Sequence, residues 1–239
     1  MQTNFPFMNK ASQVPMQVGS RKWNHLIEQG AKEFNVSLDQ KKIELLGRHA
    51  IELLHWNQKI NLTAITDPTK IAVNHFLDSI APASMIPPDA SLLDVGSGGG
   101  FPGIPLKILI PSLSVALIDS SRKKISFLKH VIRTLGLHNI GAHHVRAEDI
   151  AKDTISTHTY DVIISRALSS TDIFIRMALP LLSKDGIIMV MKGKLSHKDI
   201  ESVHTFLKKI DKNFSLVLKK YRLPHLKSER SLMVLRNTN

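Results

Sequence analysis

From residue 91 onward, short apolar runs alternate with longer runs whose apolar positions recur every three or four residues. The short runs predict strands at 91–95, 114–119, 141–145, 161–165, 187–191, 214–221 and 231–237. The periodic runs predict helices at 101–110, 121–136, 170–180 and 196–211, and no helical pattern separates the last two strands. Such strand–helix units, closed by a strand pair, predict an α/β fold: a mainly parallel seven-stranded sheet with an antiparallel last strand. Upstream the pattern is purely helical. Residues 21–35 have helical spacing, Ser37-Leu-Asp-Gln40 resembles a capping box, and Ile43, Leu46, Ala50, Leu53 and Leu54 share one face of a helix. Pro68 opens a shorter helix through Ile71, Ala72, His75 and Phe76, and Pro82, Pro87 and Pro88 end it. Residues 1–20 are aperiodic and polar. The expected division is a flexible tail at 1–20, a helical region at 21–88 and the sheet domain at 89–239.

The first strand of that domain runs directly into glycines: residues 92–103 read Leu-Leu-Asp-Val-Gly-Ser-Gly-Gly-Gly-Phe-Pro-Gly. A strand, a glycine turn and a helix start form the local geometry that cradles a nucleotide-like cofactor. Gly96, Gly98 and Gly100 lack Cβ atoms, so the backbone can take positive φ and a ligand can approach closely. A dinucleotide G-x-G-x-x-G is present literally at Gly98, Gly100 and Gly103, but its first glycine does not leave the strand directly. Counted from Gly96, its third position falls on Phe101. The spacing Asp94-x-Gly96-x-Gly98-x-Gly100 instead resembles the first motif of class I S-adenosyl-L-methionine methyltransferases, a Rossmann-like fold. Asp119 ends the next strand and is placed to accept ribose hydroxyls.

Composition narrows the chemistry. The 239 residues contain no cysteine, which excludes disulfides, cysteine zinc sites and a cysteine nucleophile, and suits a cytoplasmic protein. No apolar run is long enough to span a membrane, and the N-terminus lacks a charged-then-apolar export pattern. The twelve histidines show no H-E-x-x-H spacing, so no metal is expected. The net charge of +12 is uneven: residues 1–90 hold 9 basic and 8 acidic side chains, residues 91–239 hold 23 and 12. A positive field on the cofactor domain suits a nucleic-acid backbone. Lys192, Lys194, Arg222 and Arg230 are the candidate phosphate contacts, beside Lys219, Lys220 and Lys227. Aromatics are sparse at 5%, which leaves Trp23, Trp56 and Tyr221 as candidates for base stacking.

An ordered set of short segments then points to one family. They are Trp56-Asn57, Asn61-Leu62-Thr63, His75-Phe-Leu77-Asp78-Ser79, the glycine turn, Leu117-Ile-Asp119-Ser120, Arg146-Ala147-Glu148, Ile164-Ser165-Arg166-Ala167, Met191-Lys192-Gly193 and Ser228-Glu229-Arg230. Together they resemble the small-subunit ribosomal RNA methyltransferase G family, also called glucose-inhibited division protein B, over about residues 45–236. The resemblance implies methylation of a guanine at N7 in 16S rRNA with S-adenosyl-L-methionine as cofactor. Its substrate would be 16S rRNA or the small-subunit particle, and the protein is expected to be a monomer. It also implies cofactor contacts at Gly96, Phe101, Ala147, Glu148 and Arg166, to which the motif adds Asp94, Gly98 and Asp119. No catalytic residue is assigned; Arg166 and Lys192 are positioning candidates, and His75 and Asp78 have the spacing for an orienting hydrogen bond. Ser165-Arg166-Ala167-Leu168 lacks the Asn/Asp-Pro-Pro-aromatic run of exocyclic-amino methyltransferases. Three alternatives stay open on sequence alone: a small-molecule or protein methyltransferase, an RNA-binding protein on a dead fold, and a nicotinamide oxidoreductase.

Overall fold

The computed structural model describes residues 15–146, 149–150, 158–166, 170–209 and 214–237. It opens with helices α1 (Arg21–Lys32) and α2 (Gln40–Asn57). The cap of α2 is Asp39, whose carboxylate accepts from the Lys42 N–H, rather than the Ser37 of the sequence-level capping box. Then α3 (Pro68–Ile71) runs through a π-helical turn at Ala72–Leu77 into α4 (Asp78–Ile80). The sheet domain follows as β1 (Ser91–Val95), α5 (Gly103–Leu109), β2 (Ser114–Asp119), α6 (Arg122–Thr134), β3 (Ile140–His144), β4 (Tyr160–Arg166), α7 (Thr171–Ala178), β5 (Leu182–Lys192), α8 (His197–Leu207), β6 (Phe214–Arg222) and β7 (Glu229–Asn237).

The strand order is β3-β2-β1-β4-β5-β7-β6. Strands β1 to β5 pair in parallel, and β7 inserts antiparallel between β5 and β6. The order reverses between β1 and β4, and such a switch point opens a crevice beyond the strand ends. The glycine turn leaves β1 there, and Arg166 ends β4 beside it.

Strand alternation splits the core in two. Leu92, Val162 and Ile164 point into one layer with α1, α2, the π-helical turn, α5 and α6; Leu93, Ile163 and Val190 point into the other with α7 and α8. The helical region therefore shares a core with the sheet. Trp23 is fully buried, its indole N–H donates to the Pro68 carbonyl at 3.0 Å, and its ring meets Phe76 edge-on. This overturns Trp23 as a stacking candidate: its spacing on α1 turns it inward. Met16 and Val18, which the pattern places in the tail, pack partly against the same core.

Candidate active site

The turn after β1 is held from below by two buried or nearly buried carboxylates. Asp94 is fully buried; its Oδ2 accepts from the Gly103 N–H at 2.9 Å, and its Oδ1 has no hydrogen-bond partner. Asp119 accepts from the N–H of Gly98 at 3.0 Å and of Ser121 at 2.8 Å, with Lys124 Nζ at 3.8 Å. Gly96, Gly98 and Gly100 all take positive φ, as the spacing predicts. A Cβ on Gly98 would have only the Gly96 carbonyl near it, at 3.9 Å, so the turn faces open space. On Gly103 a Cβ would lie 2.4 Å from Leu117 and 2.8 Å from the Asp94 carboxylate. The close helix–strand contact that a third fingerprint glycine permits is therefore made at Gly103, not at the Phe101 position.

Phe101 is almost fully buried. Its ring stacks on His49 (centroids 4.9 Å apart) and on His75 (4.8 Å), and the Arg166 guanidinium lies 5.1 Å from its centroid. Any contact it makes with a cofactor comes from the small edge left exposed. His49 sits beneath the turn, where its Nε2 is 2.8 Å from the Gly99 carbonyl oxygen and therefore carries the proton. Burial drives His49 down to about 4 against the opposing pull of that carbonyl. His75 is fixed from both sides. Arg166 can only donate, so Nδ1 of His75 accepts from it at 3.3 Å and Nε2 donates to Thr63 Oγ1 at 2.9 Å. Burial first, then the charge of Arg166, lowers His75 to about 3. Asp94 moves the other way: burial raises it to about 7 against the Gly103 and Ser97 hydrogen bonds and Arg166.

Arg166 connects this turn to a cavity of about 440 Å³ lined by Asn74, Asp78, Lys192, Gly193 and Arg230 among others. Arg166 donates to the Asn74 carbonyl at 2.8 Å and lies 3.6 Å from Asp78. Asp78 also faces Arg230 at 3.6 Å and accepts the Tyr221 hydroxyl at 2.8 Å; Arg230 bonds the Asn74 amide oxygen at 3.0 Å. Burial, then the Asp78 carboxylate, pushes the Tyr221 phenol well above its ordinary range. No hydrogen bond joins His75 and Asp78, although their i,i+3 spacing allows one; His75 hydrogen-bonds Arg166 and Asp78 forms an ion pair with it. Lys192 lines the cavity, but its ammonium is held by Asp199 at 2.5 Å. Burial pushes Asp199 up, and the Lys192 and Ser196 hydrogen bonds outweigh that and hold it below the usual carboxylate range. Arg222 is exposed and 3.6 Å from Glu229; Lys194 is exposed. Ala147 and Glu148 lie outside the described residues.

The family model for GidB, rRNA small subunit methyltransferase G, matches residues 42–232. The chain belongs to this family. Two relatives named ribosomal RNA small subunit methyltransferase G are similar over most of their length. One, from Thermoanaerobacter sp. (strain X514), is 37% identical over 88% of each chain; the other, from Geobacter sp. (strain M21), is 40% identical over 88% of this chain and 95% of its own. Among solved structures, NSun6 from Pyrococcus horikoshii with SFG superimposes with a TM-score of 0.57 at 16% identity, covering 69% of this chain and 53% of that one, which shows the fold.

Seen as a GidB-family site, the scattered upstream motifs acquire one purpose. Asn57 accepts from the N–H groups of Leu62 and Thr63 and donates to the Thr63 carbonyl, so it sets the loop that presents Thr63 to His75. His75 in turn holds Arg166. The π-helical turn brings Asn74, His75 and, at its end, Asp78 to the crevice together. Asn57, Thr63, His75 and Asp78 stand in the family segments of the sequence, whereas Asn74 is unmarked there and Tyr221 is marked only as a stacking candidate, although its hydroxyl binds Asp78. No motif spacing marks those two; only the fold brings them to Asp78 and Arg230.

Proposed function

We propose that the chain transfers a methyl group from S-adenosyl-L-methionine to N7 of a guanine in 16S rRNA, acting in the cytoplasm on the small ribosomal subunit. The observation that carries this reading is the junction at Arg166. On one side lies the glycine turn with the orphaned Asp94 Oδ1 and the open face of Gly98; on the other lies the polar cavity. The donor set fits the cofactor: an unpaired buried carboxylate oxygen suits a cationic amino-acid end, and Asp119 retains lone pairs for ribose hydroxyls.

When bound, S-adenosyl-L-methionine supplies an electrophilic methyl group, and transfer forms one N–C bond as one S–C bond breaks. Guanine N7 offers a lone pair and carries no proton, so the chain has to align and exclude water rather than take up a proton. The site agrees with that demand. Both nitrogens of His75 are engaged, His49 is sealed under the turn, and both are held neutral. Positive charge passes to the purine without an anion building up, so Arg166 orients groups rather than neutralising one. The experiment is methyl transfer from labelled cofactor to small-subunit particles, followed by reduction and strand cleavage at the modified base. Cleavage at a guanine is expected; label on an exocyclic amine, a ribose or a pyrimidine would overturn the reading.

A further inference from the structure

Helix α6 is basic along its whole length. Its thirteen residues, Arg-Lys-Lys-Ile-Ser-Phe-Leu-Lys-His-Val-Ile-Arg-Thr, contain five Lys or Arg and no Asp or Glu. Its inner positions Ile125, Phe127, Leu128 and Val131 are buried. Outside, Arg122, Lys129 and Arg133 fall at i, i+7 and i+11, on one face, with Lys123 beside them; all four are exposed. Among the described residues none of the four makes an ion pair, whereas Lys124 is drawn inward to Asp119. At 1.5 Å per residue the stripe extends about 17 Å.

The neighbouring helix continues it. Along α2, Arg48, Glu52 and His55 share a face by the same spacing, Lys59 follows in the turn just after the helix, and Arg48 donates to the Thr134 carbonyl at the end of α6. Of the two acids on this face, Glu52 is covered by His130 Nε2 at 2.8 Å, and the exposed Glu44, one turn before Arg48, accepts from the Gln40 amide at 2.9 Å. Between the helices lies a second cavity, of about 460 Å³, lined by Ile51, Glu52, His55, Trp56, Lys59 and His130. The half-buried Trp56 ring forms its wall, packed against Phe127 and His130.

The cations near the first cavity are differently disposed. Lys192 is bound to Asp199, Arg230 to Asp78 and Asn74, and Arg222 to Glu229. The charge of Lys192 and Arg230 is committed inside the protein and that of Arg222 to an exposed ion pair; Lys194, Lys219, Lys220 and Lys227 are exposed without an ion pair among the described residues, but only on α6 do unpaired cations line one helix face beside an aromatic-walled cavity. We infer that the α2–α6 face, remote in sequence from Arg166 and Lys192, is the surface on which substrate rRNA docks through its phosphates. This rests on the rRNA reading above and names where that substrate is held. Charge complementarity selects the occupant: unpaired cations in a line, with an aromatic wall beside them, match a phosphate backbone with its bases.

The test compares the full-length wild type with Lys59→Gln/Lys129→Gln/Arg133→Gln. These side chains are exposed and lie away from the glycine turn, so melting temperature and calorimetric affinity for S-adenosyl-L-methionine should stay unchanged. Affinity for 16S rRNA, measured from 50 to 300 mM salt (on the order of the range where counterion release is read), should fall roughly tenfold or more. The slope of log affinity against log salt should flatten by about 2. In the wild type, bound rRNA should also shield Trp56 from acrylamide, with buried Trp23 as the unquenched reference. Unchanged affinity and slope in the triple variant, with loss instead in Lys219→Gln/Lys220→Gln/Arg222→Gln, would overturn the assignment of this face. Failure of the wild type to bind rRNA at all would overturn the substrate reading itself, and the docking surface with it.

Discussion

Asp94 and Asp119 share a motif and do different work. Asp94 has no exposure and keeps one oxygen bonded to Gly103 and one orphaned. Asp119 keeps a small exposed edge while its oxygens accept two backbone N–H groups of the turn region. On the proposed reading, replacing Asp119 removes a ribose acceptor and loosens Gly98 together. A charged acceptor lost from a hydroxyl pair costs about 1.5–3 kcal/mol. Asp119→Ala should thus weaken S-adenosyl-L-methionine binding roughly 10- to 150-fold by calorimetry. Asp119→Asn, which keeps one acceptor oxygen, should lose less. Equal affinity in wild type and Asp119→Ala would remove Asp119 from the cofactor site. The Cβ-free approach to Leu117 and Asp94 occurs at Gly103, the third glycine of the literal Gly98-x-Gly100-x-x-Gly103 run and two residues after Phe101, because α5 begins only at Gly103.

At the scale of elements, the site is a meeting of the π-helical turn, the end of β4 and the β6–β7 hairpin. Tyr221 on β6 and Arg230 on β7 reach across to Asp78 and Asn74, over sequence separations of 143 and 156 residues. Removing the Tyr221 hydroxyl leaves Asp78 with one hydrogen bond fewer in a buried setting, a cost of about 1–2 kcal/mol. Tyr221→Phe keeps the ring and should lower stability by that amount. It should also lower kcat/KM for rRNA methylation several-fold, because Asp78 then holds Arg166 less firmly, while cofactor affinity changes little. A variant matching the wild type in both denaturant midpoint and kcat/KM would show that the hairpin does not set Arg166. Those separations explain what the chain discloses in linear form. The seven strands are legible because their faces pack on two cores and alternate apolar residues mark them. The glycine turn is legible because positive φ demands glycine. The Asp78 cluster is not, since each partner is an ordinary polar residue until the sheet order places β7 beside β5. Nor is the π-helical turn, because no residue preference distinguishes Ala72–Leu77 from an α-helix.

For the molecule as a whole, three buried titratable groups set the response to acid, and their signs differ. His49 and His75 are lowered from 6.5 to about 4 and about 3. As pH falls below 6.5 the unfolded chain takes up two protons that the folded chain refuses, so stability drains away. Asp94 is raised from 3.8 to about 7, so between those values the folded chain keeps a proton that the unfolded chain releases. Its contribution therefore grows as pH falls through 7 and is complete near 4. Two losses against one gain leave a net slope close to that of one histidine. Over the interval from pH 6.5 to 4 that amounts to about 3 kcal/mol, a large share of the ~5–15 kcal/mol that holds a typical domain folded. Asp94→Asn removes the compensating group but keeps its shape. From pH 7.5 to 6.5 the wild type should be nearly flat, because proton uptake by Asp94 offsets the onset of the histidine loss, whereas Asp94→Asn should already lose about 0.7 kcal/mol, and its loss at lower pH should be about twice as steep. Denaturant titrations of both proteins at intervals of half a pH unit (about 0.7 kcal/mol per shifted group) resolve the difference. Parallel profiles would mean that Asp94 is ionised throughout. Its orphaned oxygen would then have a partner in solution, and the turn would be charged before the cofactor arrives.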